Sequence, residues 1–401
     1  MLNTETFKDE WEGSKERHET TRRRLAMLSH DWKDLVISII DEAPYLSDQT
    51  KKSLKGFVYT TENIFEFAIQ QLSPIYNEAP KRSLVPEGEE ELSEEMAQLF
   101  EDVYNTVFTN MALGEASPLT MGCGVTGLRP RWSARTNRMV VEVITGDRLA
   151  SRPDSTDPLV SEFTIIQQPD KSGWTVYTEK QMFQYDKDWK LLIDGKPIEH
   201  ELKDVSEDDP RFRNPYGVIP VVIAHSRYPA KDFWHTSDSE GLEQLNLATA
   251  ISRAMYRRTE AYQSFLQLAV IGPPDDGEGE FSKKVRLSVD SIIPLPYASS
   301  IQILDLQADL TSRFEVILQQ IDVGLSLYGL NPDSYRKKGT ESSGFALQLK
   351  REDQENVWKK QRTIWEVTEQ LLYDVAREVV GVESGGEDSN SPTFVLPKGT
   401  V

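Results

Sequence analysis

Apolar positions recur with a helical step near both ends of the chain and with a two-residue step through its middle. The most informative stretch runs from about 310 to 379. There Leu310, Phe314, Ile317, Ile321, Leu325 and Tyr328 fall at steps of three and four, lining one face of a helix. Gly329-Leu-Asn-Pro-Asp-Ser-Tyr-Arg-Lys-Lys-Gly339 breaks the pattern: Pro332 and the two glycines end the helix, and Arg336, Lys337 and Lys338 stand together. A second helix is expected from Ser342 or Ser343, either of which can accept a hydrogen bond from a free first-turn N–H. Its first half, 350–362, is nearly all polar, whereas Ile364, Leu371, Val375 and Val379 restore an apolar stripe further on. Such a helix passes through two environments.

Upstream, residues 1 to about 30 are polar and charged, with Arg22-Arg23-Arg24 in a helix, and read as a solvated arm. Amphipathic helices are predicted at about 31–42, 60–72 and 92–113. Between the last two lie the turn-rich segment 73–84 and the acidic run 87–91. From 125 to 223, β-rich runs at 139–144, 161–166, 174–178, 182–185, 189–193 and 217–223 alternate with Pro-Asp, Asp-Gly or Asn-Pro turns, predicting one inserted antiparallel domain.

Helical texture returns after Trp234, with Asp238 or Ser239 as N-cap. Leu242, Leu245, Thr249, Ser252, Met255, Thr259, Tyr262 and Phe265 form one stripe, with Arg253, Arg257 and Arg258 on the other face. This predicts a helix of about 28 residues, ending at Gly272-Pro-Pro274, whose small and polar stripe residues suit packing against a like helix. An acidic turn, 275–280, and strand-like runs at 285–289 and 300–304 make a compact mixed unit. The tail from Gly381 is rich in Gly, Ser and Asp and is expected to be loose.

Composition narrows the possibilities. The 401 residues suffice for two or three domains. Forty-five Lys and Arg against 65 Asp and Glu leave a net charge of −20, which argues against a surface that grips DNA throughout but leaves room for a local basic loop. Cys123 is the only cysteine, which excludes an intramolecular disulfide and a cysteine-based zinc site. Apolar runs such as Leu35-Val-Ile-Ser-Ile-Ile40 fall far short of the ~20 residues of a membrane helix, and the mixed-charge N-terminus is unlike a secretory signal. A soluble, intracellular protein is expected.

Catalytic chemistry is mostly absent. Gly122-Cys-Gly-Val-Thr-Gly127 matches G-x-G-x-x-G, but Ala116-Ser-Pro-Leu119 before it reads as a turn and Leu128-Arg-Pro130 after it cannot open a helix. A dinucleotide site needs a strand before the glycines and a helix N-terminus behind them, so these glycines read as a loop entering a strand. No Walker lysine motif, His-Glu-x-x-His or Gly-x-Ser-x-Gly occurs. The histidines His18, His30, His200, His225 and His235 lack metal-ligand spacing, with His225 and His235 expected to be structural. The acidic runs 204–209 and 275–280 read as solvated turns. No enzyme, cofactor or metal is expected.

The order of elements resembles the portal proteins of tailed bacteriophages, in the long-tailed branch. Ile75-Tyr-Asn-Glu-Ala-Pro-Lys-Arg-Ser-Leu84 resembles an early tyrosine–proline–arginine element. Asn214-Pro-Tyr-Gly-Val-Ile-Pro-Val-Val222 resembles the strand leading into the first stem helix, and 241–272 is similar to that helix and its exit. Ser342-Ser-Gly-Phe-Ala-Leu-Gln-Leu-Lys350 with Lys359-Lys-Gln361 resembles the start of the long wing helix.

The resemblance implies an α+β portal fold: a helical wing region 1–120, a β-rich wing domain 121–232, stem helices 233–268 and 308–328, and a small α/β clip 269–307. A tunnel loop 329–341, a long wing helix 342–380 and a flexible tail 381–401 in place of a crown complete it. Arg336, Lys337 and Lys338 would meet DNA in the channel. Arg253, Met255, Arg257, Arg258 and Tyr262 would pack subunits or line the channel, and Lys283, Lys284 and Arg286 of the clip would dock the motor or adaptor. The implied protein is a ring of about twelve copies at a capsid vertex of the virion, assembled in the host cytoplasm. Its implied partners are the major capsid protein, the large terminase packaging motor, a head–tail adaptor and double-stranded DNA without sequence preference, with no membrane. Two alternatives stay open: another virion or head–tail adaptor protein, and a metal-dependent DNA-processing enzyme using Asp208, Asp209 or Asp275.

Overall fold

In a computed structural model of the chain, residues 3–86, 93–198, 209–230, 233–236, 238–263, 267–271, 300–304, 309–332, 335, 344–385, 396 and 399–400 are described. Their helices are α1 (Thr4–Gly13), α2 (Lys15–Leu28), α3 (Lys33–Glu42), α4 (Asp48–Lys55), α5 (Ile64–Leu72), α6 (Glu94–Val103), α7 (Val107–Cys123), α8 (Glu240–Gln263), α9 (Leu310–Leu327) and α10 (Gly344–Glu383). The strands begin with β1 (Val85–Pro86), β2 (Val125–Ser133), β3 (Arg138–Thr145), β4 (Leu149–Pro153), β5 (Ser161–Gln167), β6 (Gly173–Tyr177) and β7 (Met182–Asp186). They continue with β8 (Leu191–Ile193), β9 (Lys196–Pro197), β10 (Val222–His225), β11 (Gln267–Ile271), β12 (Ser300–Leu304) and β13 (Gly399–Thr400). Every ladder among the described residues is antiparallel, so the fold is α+β, as expected.

Contacts divide the chain into two compact units: Met1–Asp31, Asn63–Gln244 and Leu325–Val401 in one, Trp32–Glu62 and Leu245–Gly324 in the other. In the first unit the β-rich region forms two sheets rather than one: β10-β2-β3, and β4-β5-β6-β7-β8-β9 in sequence order. The three-stranded sheet shares a core with α6, α7 and α10, in which Leu128, Met139 and Val222 pack with Leu113, Leu372 and Tyr373. The six-stranded meander has its own aromatic core.

That second core corrects the N-terminal expectation. Phe7 and Trp11, one turn apart on α1, are buried with Phe163, Phe183 and Trp174, and Phe7 meets Phe163 edge-on at 5.0 Å. The arm is therefore packed, not solvated. The helix expected at 92–113 is two helices, because Thr106 accepts a hydrogen bond from Thr109 N–H and starts α7 afresh. Ala116-Ser-Pro-Leu119 is not a turn but the interior of α7. Burial of Leu113, Ala116, Ser117 and Thr120 outweighs the cost of Pro118 there.

The glycine-rich stretch is thus a helix running into strand β2, the reverse of a dinucleotide-binding turn. Sequence periodicity also missed α4, β4 and β9, and the strand expected at 217–223 is confined to Val222–His225. The α8 helix stops at Gln263 instead of Gly272, since Gln267–Ile271 pairs with Ser300–Leu304 as a two-stranded ladder. At the other end α10 runs to Glu383, Leu396 is buried in the main core and β13 pairs with β1, so part of the expected loose tail is held in place.

Gly124 marks the α7–β2 junction. Its N–H donates to the Thr120 carbonyl at 2.8 Å and its φ is +92°, while a Cβ there would collide with the Trp234 and His235 carbonyl groups. Only glycine adopts this conformation without strain. Gly124→Ala is expected to cost more than about 2 kcal/mol in urea unfolding; a loss within about 0.5 kcal/mol would show that the junction tolerates a side chain.

Candidate functional site

In the second unit α8 and α9 lie side by side. The Tyr256 and Phe314 rings are 5.5 Å apart, and a Cβ on Gly324 would overlap Leu245. The buried line of α8 in this unit is Asn246, Thr249, Ala250, Arg253 and Ala254. Thr249 belongs to the expected stripe, but Arg253 was assigned to the opposite face and is 9% exposed, its guanidinium paired with Glu62. Arg257 reaches Glu62 at 3.9 Å and lies 4.7 Å from the Tyr59 ring centre. Arg258 donates from Nε to Ser53 Oγ at 3.2 Å and covers Tyr262 at 5.1 Å, and the Tyr262 hydroxyl is 3.3 Å from the same Ser53 Oγ. Three arginines and Tyr262 are therefore engaged by residues 53–62 of their own chain. Met255 is half-buried.

On α9, Asp309 caps the helix by accepting from Ser312 N–H at 2.9 Å. Ile317, Ile321 and Leu325 are buried as their spacing predicts, whereas Phe314 of the same expected stripe is exposed. Val316, Val323 and Leu327 are not buried: spaced seven and four apart, they are 51, 63 and 81% exposed, an apolar stripe left open among the described residues. Arg336, Lys337 and Lys338 and the clip residues Lys283, Lys284 and Arg286 lie outside the described residues. Tyr335, immediately before the basic triplet, packs edge-on against Phe67 of α5 at 5.3 Å.

A second constellation joins two sequence elements read separately. In the first unit, Arg82 of the tyrosine–proline–arginine segment pairs through Nε with Glu369 of α10, and its Nη1 donates to Asn105 Oδ1 at 3.1 Å and Asn110 Oδ1 at 2.5 Å. The Tyr76 hydroxyl donates to Glu369 Oε1 at 2.7 Å, and the Tyr104 hydroxyl to the Glu369 carbonyl at 3.0 Å. Burial first, then the Glu369 carboxylate, pushes both phenol pKa values well up, so both stay donors. Above this network, segment 75–83 and α10 enclose a groove of about 810 Å³. Periodicity found the helix; Arg82 and Glu369, 287 residues apart, carried no sequence signal for their pairing.

His18, His225 and His235 are buried in the first unit. His225 stacks edge-on with His235 at 5.5 Å and Phe233 at 4.8 Å. His18 lies 3.0 Å from the Leu149 carbonyl and 4.4 Å from the Trp11 ring centre. The carboxylate of Asp209 is taken by Arg211, at 3.0 Å from Nε and 2.6 Å from Nη2, while Asp208 and Asp275 lie outside the described residues. Among the described residues no group of three or more His, Cys, Asp or Glu is placed to hold a metal ion, and no helix is long and apolar enough to cross a membrane.

No protein-family model and no curated protein matches the chain. Solved structures similar to it include a chain of the virion of a native gene transfer agent (GTA) particle, at 11% identity and TM-score 0.32 over 83% of this chain and 79% of that one. Another is a chain of the neck of an empty GTA particle computed with C6 symmetry, at 13% identity and TM-score 0.34 over 84% and 81%.

Two predictions come from the buried groups. Arg82→Ala or Glu369→Ala alone strands a charge and is expected to cost about 3–5 kcal/mol in chemical denaturation, whereas Arg82→Met with Glu369→Leu costs less than the sum of the two; strict additivity would mean that the pair is not coupled. Burial, then neighbouring His235, lowers the His225 pKa to about 3, and burial, then Arg17, lowers that of His18 to about 4. The unfolded chain takes up these protons near pH 6.5 and the folded chain refuses them, so their stabilisation is complete above about pH 6.5 and is lost as pH falls towards 4. Unfolding free energy should drop by about 4 kcal/mol from pH 7 to 5, and by roughly half that in His225→Asn; identical profiles for the two proteins would show that His225 is not the group responsible.

Proposed function

We propose that this chain is a ring-forming conduit for double-stranded DNA in a phage-type virion, of the portal kind, with no catalytic site of its own. The observation that carries the reading is the helix–ladder–helix unit α8–β11–β12–α9, followed across the basic triplet by the 40-residue α10. Two helices packed side by side, joined at one end by a strand pair and continued into a longer helix, match the stem, clip, loop and wing order of a portal. The uncovered Val316, Val323 and Leu327 on α9 then serve as the contact to a neighbouring copy, a heterologous interface that closes into a ring.

Charge supports the same reading. A conduit must let DNA slide, and each lysine or arginine contact to phosphate releases counterions and adds affinity. With a net charge of −20, a single basic triplet repeated around a ring meets the backbone without holding it or reading its sequence. Arg253, Arg257 and Arg258 are committed to Glu62, Tyr59 and Ser53 and support the stem rather than the channel. ATP hydrolysis belongs to a separate motor, and the β11–β12 ladder belongs to the end that docks the motor and, later, the head–tail adaptor.

Val316→Asp with Val323→Asp should leave monomer stability within about 0.5 kcal/mol, since both residues are exposed, yet abolish self-association in sedimentation velocity. Unchanged association would take α9 out of the interface. Converting Arg336, Lys337 and Lys338 together to serine should leave assembly intact and impair DNA packaging or retention. Normal packaging by that variant would remove the triplet from the channel.

A further inference from the structure

The groove between segment 75–83 and α10 has no part in the conduit reading. We infer that it is a docking site for a protein segment presenting a carboxylate beside an aromatic side chain. One of its lining residues, Arg82, carries a spare donor. Arg82 lines the groove with its side chain 3% exposed; Nε and Nη1 are bonded, but Nη2 is buried without an acceptor. Buried guanidinium N–H groups are normally satisfied, and a carboxylate answers one with a charge-assisted bond. Arg82's bonds to Glu369, Asn105 and Asn110 hold its guanidinium in place.

The walls supply the second half of the recognition. Trp365, 4% exposed, meets Tyr76 edge-on at 5.3 Å, and Trp358, one and a half to two turns earlier on the same helix, is 36% exposed. A large aromatic left open beside a groove is a platform for another ring. Lys359 follows Trp358 and, with Lys81, adds cations at the rim.

Four carboxylates also line this groove, those of Glu78, Glu355, Glu366 and Glu369. Glu369 is spent on Arg82 and Glu366 on Arg362, at 2.8 Å, but their presence opposes a nucleic-acid strand, whose phosphates follow a uniformly basic track. A short peptide places its one acid on Arg82 and stays clear of the rest. The partner is therefore a protein segment.

The test uses the full chain, in whatever oligomeric state it adopts, so its result is independent of ring formation. A random heptapeptide display library is panned on the immobilised protein and counter-screened on Trp358→Ala and Lys359→Glu. Both positions are exposed, and thermal unfolding verifies that each variant is folded. The expected peptides carry Asp or Glu within two positions of Phe, Tyr or Trp. A synthetic peptide of that pattern should bind the wild type at least tenfold more tightly than either variant does, and lose tenfold when its acid becomes the amide. Convergence on Lys- or Arg-rich peptides, displacement of the peptide by a single-stranded oligonucleotide, or no pattern sensitive to both variants would overturn the assignment.

Discussion

Glu369 joins three stretches of the first unit that are far apart in the chain. Its carboxylate receives Arg82 and Tyr76, and its carbonyl receives Tyr104, while Arg82 reaches on to Asn105 and Asn110. Such a network stabilises only when almost every member is satisfied, because low dielectric strengthens each bond and penalises each missing one equally. It sets the register of α10 against segment 75–84 and the start of α7. The apolar half of α10 can then bury Leu372, Tyr373, Ala376 and Val380 against the three-stranded sheet. Polar bonds choose the alignment, and apolar burial supplies most of the stabilisation.

The same division of labour recurs on α8. Near its start Glu243 receives Arg23 at 3.0 Å and Arg24 at 2.7 Å, with Arg24 only 1% exposed. In the second unit Arg253 pairs with Glu62. A helix with a weakly apolar face thus takes its position from buried or half-buried charge pairs. Its neighbour α9 is the opposite case, with a good apolar face buried and a second, smaller apolar stripe left open.

Where the period was long and clean the sequence was readable: α5, the C-terminal half of α10 and the meander strands β5, β6 and β7 follow their spacing, as does the second half of α9. The misreadings share a physical cause. Phe7 and Trp11 are two apolar residues among many charges on α1, and only the aromatic interior of the six-stranded sheet makes them core. Pro118 argues for a turn until burial of the surrounding α7 residues overrides it. Arg253 looks solvent-facing because Glu62, which neutralises it, comes from a different part of the chain. The candidate site divided along the same line. Its elements were legible by order, but the Arg82–Glu369 pairing and the uncovered stripe of α9 depend on which surfaces other segments cover.

On the proposed function, copies of this chain close into a ring around a DNA-sized channel. Electron microscopy of the purified full-length protein, with its mass in solution, tests this most directly. A ring of about twelve subunits with an open axial hole is the expected result. A compact monomer that cleaves DNA in the presence of magnesium, or a closed assembly without an axial hole, would contradict it.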